Sequence, residues 1–340
     1  VLPSIVIERP PNRRRLRRSD MRGMEPRPRR VAWASRASLK VSFESVAGGS
    51  AACRPGRLST MAPSSVSPRV TLNDGNSIPQ VGLGVWQTPA EDTERAVAAA
   101  LQAGYRHIDT AAAYRNETET GRAIATSGVP RDDIFLVTKL WNSDQGYDAT
   151  LAAFDASVER LGVDYLDLYL IHWPVPANNN FVDTFKAFAH LRDQGRIRSI
   201  GVSNFEPEHL NTLIDATGIV PAVNQIELHP LLPQHQLRQV HAELGIATEA
   251  WSPLGQGSLL ADPVITGIAE QHGKTPAQVL IRWHIQLGNI VIPKSVNPER
   301  IASNFDVFDF ELSEQDMTSI ASLETGKRLG PDPRTFNFTG

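Results

Sequence analysis

From Val70 onward, short apolar runs of β type alternate with longer stretches whose apolar residues recur every three or four positions. The runs predict strand cores at 82–86, 106–110, 134–140, 166–172, 198–203, 222–227, 246–252 and 290–294, eight in all. Between them lie helix-type stretches at 91–103, 148–161, 181–194, 206–216, 234–244 and 276–287. In the second, Leu151, Phe154, Val158 and Leu161 form one helical stripe. Pro207 and Pro276 stand where a first helical turn accepts proline. Gly104, Gly162, Gly195, Gly245 and Gly288 fall where helices end. Ahead of the alternation, Asp74-Gly75 between two β-prone runs predicts a hairpin over 70–78.

Eight strands with helical crossovers build either a closed barrel or an open, doubly wound sheet. An open dinucleotide-binding sheet carries G-x-G-x-x-G after its first strand. Here Gly82-Leu83-Gly84 begins the motif, but Gln87 stands where the third glycine belongs. The body from Pro68 to Gly340 is close to the roughly 250 residues typical of a (β/α)8 barrel. The expected fold is therefore α/β, a (β/α)8 TIM barrel. An N-terminal β-hairpin precedes it, and a C-terminal loop, Gly326–Gly340, folds over the mouth.

Composition narrows the classes. At 41% hydrophobic and 21% charged residues the chain suits a soluble globular protein. No run of 18 apolar residues is present, so no membrane span is expected. The single cysteine, Cys53, excludes a disulfide framework and a cysteine zinc site. The net charge of −3 conceals an asymmetry: residues 1–60 carry 14 Lys and Arg against 4 Asp and Glu, a net of +10, and the remainder nets −13. The leader, 1–67, holds Arg13-Arg14-Arg15-Leu16-Arg17-Arg18 and lacks apolar periodicity. Arginine clusters attract phosphate, and an Arg- and Ser-rich, acid-poor start suits a transit peptide. The plainer reading is preferred: a disordered or non-native basic extension, with ordered sequence beginning soon after Met61.

In such a barrel the chemistry gathers at the C-terminal ends of the strands. Asp109, Lys139, His172, Asn204, Gln225, Trp251 and Lys294 end seven consecutive predicted strands. Any one of them is ordinarily a loop boundary, a solvated lysine or a histidine packed under a turn. Seven in register are harder to dismiss. His229-Pro230, near Glu227, reads as structural, because no third metal ligand accompanies it. No metal site is expected.

Longer motifs surround these residues. They are Gly104-Tyr105-Arg106-His107-Ile108-Asp109-Thr110-Ala111 with Tyr114 and Asn116-Glu117, then Leu166-Asp167-Leu168-Tyr169-Leu170-Ile171-His172-Trp173-Pro174. Ile200-Gly201-Val202-Ser203-Asn204-Phe205, Val223-Asn224-Gln225-Ile226-Glu227, and Ile292-Pro293-Lys294-Ser295 with Arg300 and Asn304 follow. Together, over about residues 68–340, the chain resembles the aldo-keto reductase superfamily, most closely its bacterial 2,5-diketo-D-gluconate reductase-like branch. The resemblance implies NADPH-dependent reduction of carbonyls by a catalytic tetrad of Asp109, Tyr114, Lys139 and His172. Tyr114 would give the proton, Lys139 would lower its pKa, Asp109 would hold Lys139, and His172 would direct the carbonyl oxygen. Ser203, Asn204 and Gln225 would bind the nicotinamide amide, and Trp251 would stack on its ring. Ser252, Leu254, Lys294, Ser295, Val296, Arg300 and Asn304 would complete the cofactor site. Lys294 and Arg300 suit a 2′-phosphate, which favours NADPH over NADH. In relatives an acid often stands near the asparagine of this clamp, whereas here Ser303 precedes Asn304.

Trp86, His172 and Trp173 are expected to line the substrate pocket. The short loop after His172 suggests an open, shallow pocket for small aldehydes, ketones and keto-sugars. The expected partner is a small-molecule carbonyl substrate, with no nucleic acid and no membrane, for a monomer in the cytoplasm. Two rivals stand beside this reading. One is a non-catalytic, NADPH-sensing barrel acting as a regulatory subunit. The other is a metal-dependent hydrolase, which would want more His and Asp at strand ends.

Overall fold

The computed structural model describes residues 66–340. The basic leader lies outside the described residues apart from Val66 and Ser67. Ser67 already belongs to the folded body: it is buried, and its Oγ accepts from the Val81 amide at 3.0 Å.

The chain opens with the antiparallel hairpin of β1 (Arg69–Thr71) and β2 (Ser77–Pro79), turning at Asp74-Gly75, with Val70 opposite Ile78. The barrel then runs β3 (Leu83–Gly84), α1 (Ala90–Gln102), β4 (His107–Asp109), α2 (Glu117–Thr126), β5 (Phe135–Leu140) and α3 (Tyr147–Leu161). It continues through β6 (Leu166–Ile171), α4 (Phe181–Asp193), β7 (Ile197–Ser203), α5 (Pro207–Thr217), β8 (Val223–Glu227), α6 (His235–Leu244) and β9 (Ala247–Trp251). The last part is α7 (Pro263–His272), α8 (Pro276–Gln286), β10 (Ile290–Val291), α9 (Pro298–Phe305) and α10 (Glu314–Ala321). β3 to β10 pair in parallel and in sequence order. The ends meet at a parallel bridge between Val81 and Val291, where Gly82 N donates to Val291 O at 2.9 Å and Val291 N to Gln80 O at 2.8 Å. The sheet is therefore closed, the (β/α)8 arrangement that the alternation predicted.

Every expected strand is present, β3 and β10 trimmed to two residues each. Four helices went unpredicted: α2, α7, α9 and α10. α2 is rich in Thr and Glu and shows little apolar periodicity. The other three announce themselves by caps rather than stripes. The side chains of Asp262, Asn297 and Ser313 each accept a first-turn backbone N–H, and proline opens two of the three helices.

Strand residues alternate between two layers, as period two requires. Leu136, Leu140, Tyr169, Ile171, Ile200 and Val202 face the helices and join the large outer core. Phe135, Val137, Leu168, Leu170 and Val223 face inward and pack with Leu72 and Ile78 of the hairpin. The hairpin thus stops the barrel at its N-terminal end, where Asn76 Nδ2 also bonds Arg198 O and Ser199 Oγ. The large cavity lies at the C-terminal end.

A close helix contact crosses α2 and α3. A Cβ on Gly121 would lie 2.1 Å from the Leu161 carbonyl oxygen, so backbone would have to move. Gly267 in α7 has nothing within 4 Å of its Cβ position. We predict opposite signs for two alanine substitutions. Gly121→Ala should destabilise by about 1–3 kcal/mol through overpacking, and Gly267→Ala should stabilise by about 0.5–1 kcal/mol through helix propensity. Urea denaturation of both variants checks this. Equal effects would mean that the α2–α3 approach is wrong.

Candidate active site

At the C-terminal end of the barrel lies a cavity of about 1760 Å³. Ligand pockets usually measure roughly 300–1,000 Å³, so this one has room for two molecules side by side.

Beneath its floor, which Asp109 and Tyr114 line, lies a buried charge. Lys139, near the end of β5, has no solvent exposure. All three of its donors are used: Nζ reaches Asp109 Oδ1 at 2.6 Å, Thr110 O at 2.9 Å and Tyr114 Oη at 3.3 Å. Burial is the largest single influence and works to strip its proton, but the charge and hydrogen bond of Asp109, together with smaller contributions from Tyr114 and Glu249, hold the ammonium above its ordinary pKa. Tyr114 reaches this point from a 3-10 turn, Ala112–Tyr114, directly after β4. Arg115 stops the turn in the left-handed region, at φ 57°. The turn is pinned from below by Asn116, which takes a bond from Thr110 Oγ1 and gives bonds to Val85 O and Thr88 O. Glu117 locks the next step, accepting from Thr138 Oγ1 at 2.6 Å and from Arg160 Nε at 2.7 Å.

One expectation needs correction. Lys139 does pull the Tyr114 phenol down, but burial is the larger influence, and the phenol stands above its ordinary value. Tyr114 is therefore a firmly protonated donor, and Lys139 tempers a cost that burial imposes.

His172 follows β6 and sits edge-on to Tyr114 and Trp141, with ring centroids 5.7 and 5.2 Å away. Burial, helped by the Lys139 charge, pushes its pKa well below the ordinary range, so the imidazole is neutral. Nδ1 is buried without a partner. A buried orphan donor costs more than a lone pair, so the single proton belongs on Nε2, where it can serve the cavity.

The amides beside this floor are tied to each other. Asn204 Nδ2 donates to His172 O at 2.9 Å and to Ser203 Oγ at 3.0 Å, and Trp251 Nε1 donates to Asn204 Oδ1 at 2.9 Å. Ser203 Oγ donates to Gln225 O, and Gln225 Nε2 donates to Asp109 Oδ2 at 2.9 Å. These bonds hold the Trp251 indole as a fixed wall. Ser252 and Leu254 continue the lining. At the far end stand Ser295, Asn304, Lys294 and Arg300; neither of the two cations makes a salt bridge among the described residues. Ser303, the departure from the clamp pattern, lines the same end. Val296 is the exception among the expected contacts: it is exposed and lies outside the cavity lining.

Trp86 and Trp173 line the cavity as expected. Trp141 and Phe338 were not foreseen. Trp141 stands one residue beyond β5, so the strand-end rule would have found it. Phe338 comes from the C-terminal segment, which crosses the mouth. Phe336 packs on Trp173 and Phe338 on Trp141, with centroids 4.4 and 6.2 Å apart, and Asn142 Nδ2 donates to Phe338 O. Buried Glu227 anchors the start of this strap by accepting from the amides of Leu329 and Gly330. The short loop after β6 therefore does not leave a shallow pocket. His229 is structural, bonded to Glu227 Oε1 at 3.0 Å.

Residues 79–325 match the Aldo/keto reductase family. The chain belongs to the aldo/keto reductase family. An aldo-keto reductase of Mycolicibacterium smegmatis is 94% identical over 275 residues, which cover 81% of this chain and 100% of that protein. The crystal structure of an aldo/keto reductase from Brucella melitensis is similar at 57% identity and TM-score 0.74, over 76% of this chain and 98% of that one. A mutant of Gox0644, solved in complex with NADPH, is similar at 51% identity and TM-score 0.77, over 80% and 99%. As an aldo/keto reductase the protein is an oxidoreductase of carbonyl compounds.

The buried pair of this reductase has a measurable signature. Lys139→Met leaves Asp109 without its counter-charge and should cost about 3–5 kcal/mol. Asp109→Asn combined with Lys139→Met removes both charges and should cost clearly less than the two single effects summed. Equilibrium denaturation of the singles and the double decides it. Simple additivity would show that the two groups do not interact.

Proposed function

We propose that this aldo/keto reductase reduces aldehydes, ketones and keto-sugars to alcohols with NADPH, keto-sugars of the 2,5-diketo-D-gluconate type among them. The observation that carries the reading is the Lys139 ammonium in contact with both Asp109 and the Tyr114 hydroxyl at the floor of a two-ligand cavity. The donor set fits a nicotinamide dinucleotide. A flat indole and a cluster of amides lie beside the tetrad, and two cations without a salt bridge among the described residues lie at the far end.

When bound, the reduced nicotinamide supplies the hydride. Trp251, Ser203, Asn204 and Gln225 hold its ring in place. His172 donates from Nε2 to the substrate carbonyl oxygen and fixes it beside Tyr114 Oη. As negative charge grows on that oxygen, Tyr114 gives it a proton. An alkoxide is a stronger base than a phenolate, so the transfer runs downhill even from a phenol whose pKa is raised. Lys139, 3.3 Å from Oη, stabilises the phenolate left behind. Trp86, Trp141, Trp173 and Phe338 give the substrate apolar walls.

Loss of NADPH absorbance with a panel of aldehydes, ketones and keto-sugars tests the reading. Cofactor binding without turnover of any carbonyl would favour a sensing role instead. Tyr114→Phe should lower kcat by about 10²–10⁴-fold while NADPH affinity, read by fluorescence quenching, stays near that of the wild type. Near-normal turnover in that variant would remove Tyr114 from the chemistry.

Cofactor choice gives a separate test. Lys294→Ala with Arg300→Ala should cost NADPH binding at least about 1.5–3 kcal/mol, the worth of one charge-assisted contact. NADH binding should change little. Equal losses for both cofactors would show that these cations do not read the 2′-phosphate.

A further inference from the structure

One buried acid inside the barrel has no part in the chemistry above. Glu249, on β9 two residues before Trp251, has no solvent exposure. Its Oε2 accepts from Gln225 Nε2 at 3.0 Å, and its Oε1 lies 3.3 Å from His107 Nε2. Oε1 and His107 Nε2 are both buried, and neither has a hydrogen-bond partner elsewhere or a well-aligned ring N–H bond to the other. The other nitrogen of that ring, Nδ1, faces the Pro79 carbonyl at 3.2 Å. A carbonyl only accepts, so Nδ1 carries the proton of a neutral His107 and Nε2 is a lone pair. Burial favours that neutral ring, holding its pKa near 3. Two acceptors at 3.3 Å need a proton between them, and Glu249 Oε1 is the remaining place for it. The ring cannot retreat: a Cβ on Gly82 would sit 2.5 Å from His107 Nδ1, so the backbone is pressed against it.

The consequence falls on Gln225. One of its N–H groups goes to Glu249 and the other to Asp109 Oδ2, so both donors are committed. Oε1 is the atom left for the cavity that Gln225 lines. We propose that Glu249 is a positioning residue for the cofactor: held as a neutral acid between His107 and Gln225, it fixes the Gln225 amide with Oε1 turned to accept from a nicotinamide carboxamide N–H. The inference rests on the NADPH reading for its ligand, though not for the protonation of Glu249.

The charged and titratable groups around Glu249 agree with a neutral acid. Burial is the main influence and pushes its pKa to about 8. Asp109 on β4 adds to the rise, while Gln225 and Lys139 on β5 oppose it. Tyr114, beyond Lys139, is neutral. An acid whose folded pKa is raised adds stability that is complete below its ordinary value and is lost as pH rises through about 8.

Glu249→Gln keeps the shape of a protonated carboxyl. Its N–H can face His107 and its oxygen can accept from Gln225. Glu249→Leu keeps bulk but removes the acceptor. In the cofactor-free full chain, infrared difference spectra should show a protonated-carboxyl stretch at neutral pH that Glu249→Gln removes. The wild type's stability relative to Glu249→Gln should decline as pH rises through about 8. NADPH affinity should be kept in Glu249→Gln and fall by about threefold to tenfold in Glu249→Leu, the worth of one hydrogen bond. An absent carboxyl band would overturn the proposal, as would Glu249→Gln losing NADPH as badly as Glu249→Leu. If Glu249→Leu does not fold, the infrared band and the pH dependence of Glu249→Gln still decide. If the wild type shows the band but does not bind NADPH, the cofactor reading fails and the neutral acid stands.

Discussion

The interaction on which the site depends is a lysine charge taken out of water. An ammonium inside a barrel is stable only if its charge is matched and its donors are used. Asp109 supplies the charge, and Asp109, Thr110 O and Tyr114 Oη use the donors. Each partner is set by a different device. Asp109 ends a strand, Thr110 offers backbone, and Tyr114 is swung into reach by a single 3-10 turn. That turn is in turn fixed by Asn116 beneath it. A buried cation is thus tied to the local structure of the whole β4–α2 connection.

The same constraint spreads across the barrel. β4 and β8 are four strands apart in an eight-stranded ring, so Gln225 bonding Asp109 bridges opposite walls. Glu249, bonded to Gln225, and His107, 3.3 Å beyond it, extend that polar chain toward the hairpin end of the barrel. The hairpin closes the apolar end, so polar groups can be desolvated without being isolated. Over the mouth, Phe336 and Phe338 restore an apolar ceiling that short loops alone would not provide.

Much of this was legible in the chain. Period-two alternation and helical crossovers specify eight strands, and the residues ending them mark the mouth, because parallel barrels present their strand ends together. Asp109, Lys139, His172, Gln225 and Trp251 were found that way. Tyr114 was not, since it follows a strand through a tight turn, and only the likeness to a known family pointed to it. Glu249 carried a signal that went unused: an acid two residues before Trp251 must share its inward face. Phe338 lies in the segment expected over the mouth, but its place against Trp141 depends on how that segment crosses. The pKa of Tyr114 was misjudged for a related reason. A neighbouring charge can be guessed from motifs, but the burial that outweighs it exists only after folding.

The site is defined by where its protons sit, and neutron diffraction from deuterated crystals of the NADPH complex sees them directly. Three deuterons are expected on Lys139 Nζ, directed at Asp109, Thr110 O and Tyr114 Oη. One is expected on Tyr114 Oη, and one on His172 Nε2 with none on Nδ1. A neutral amine at Lys139, or a phenolate at Tyr114 before any carbonyl is present, would contradict this arrangement.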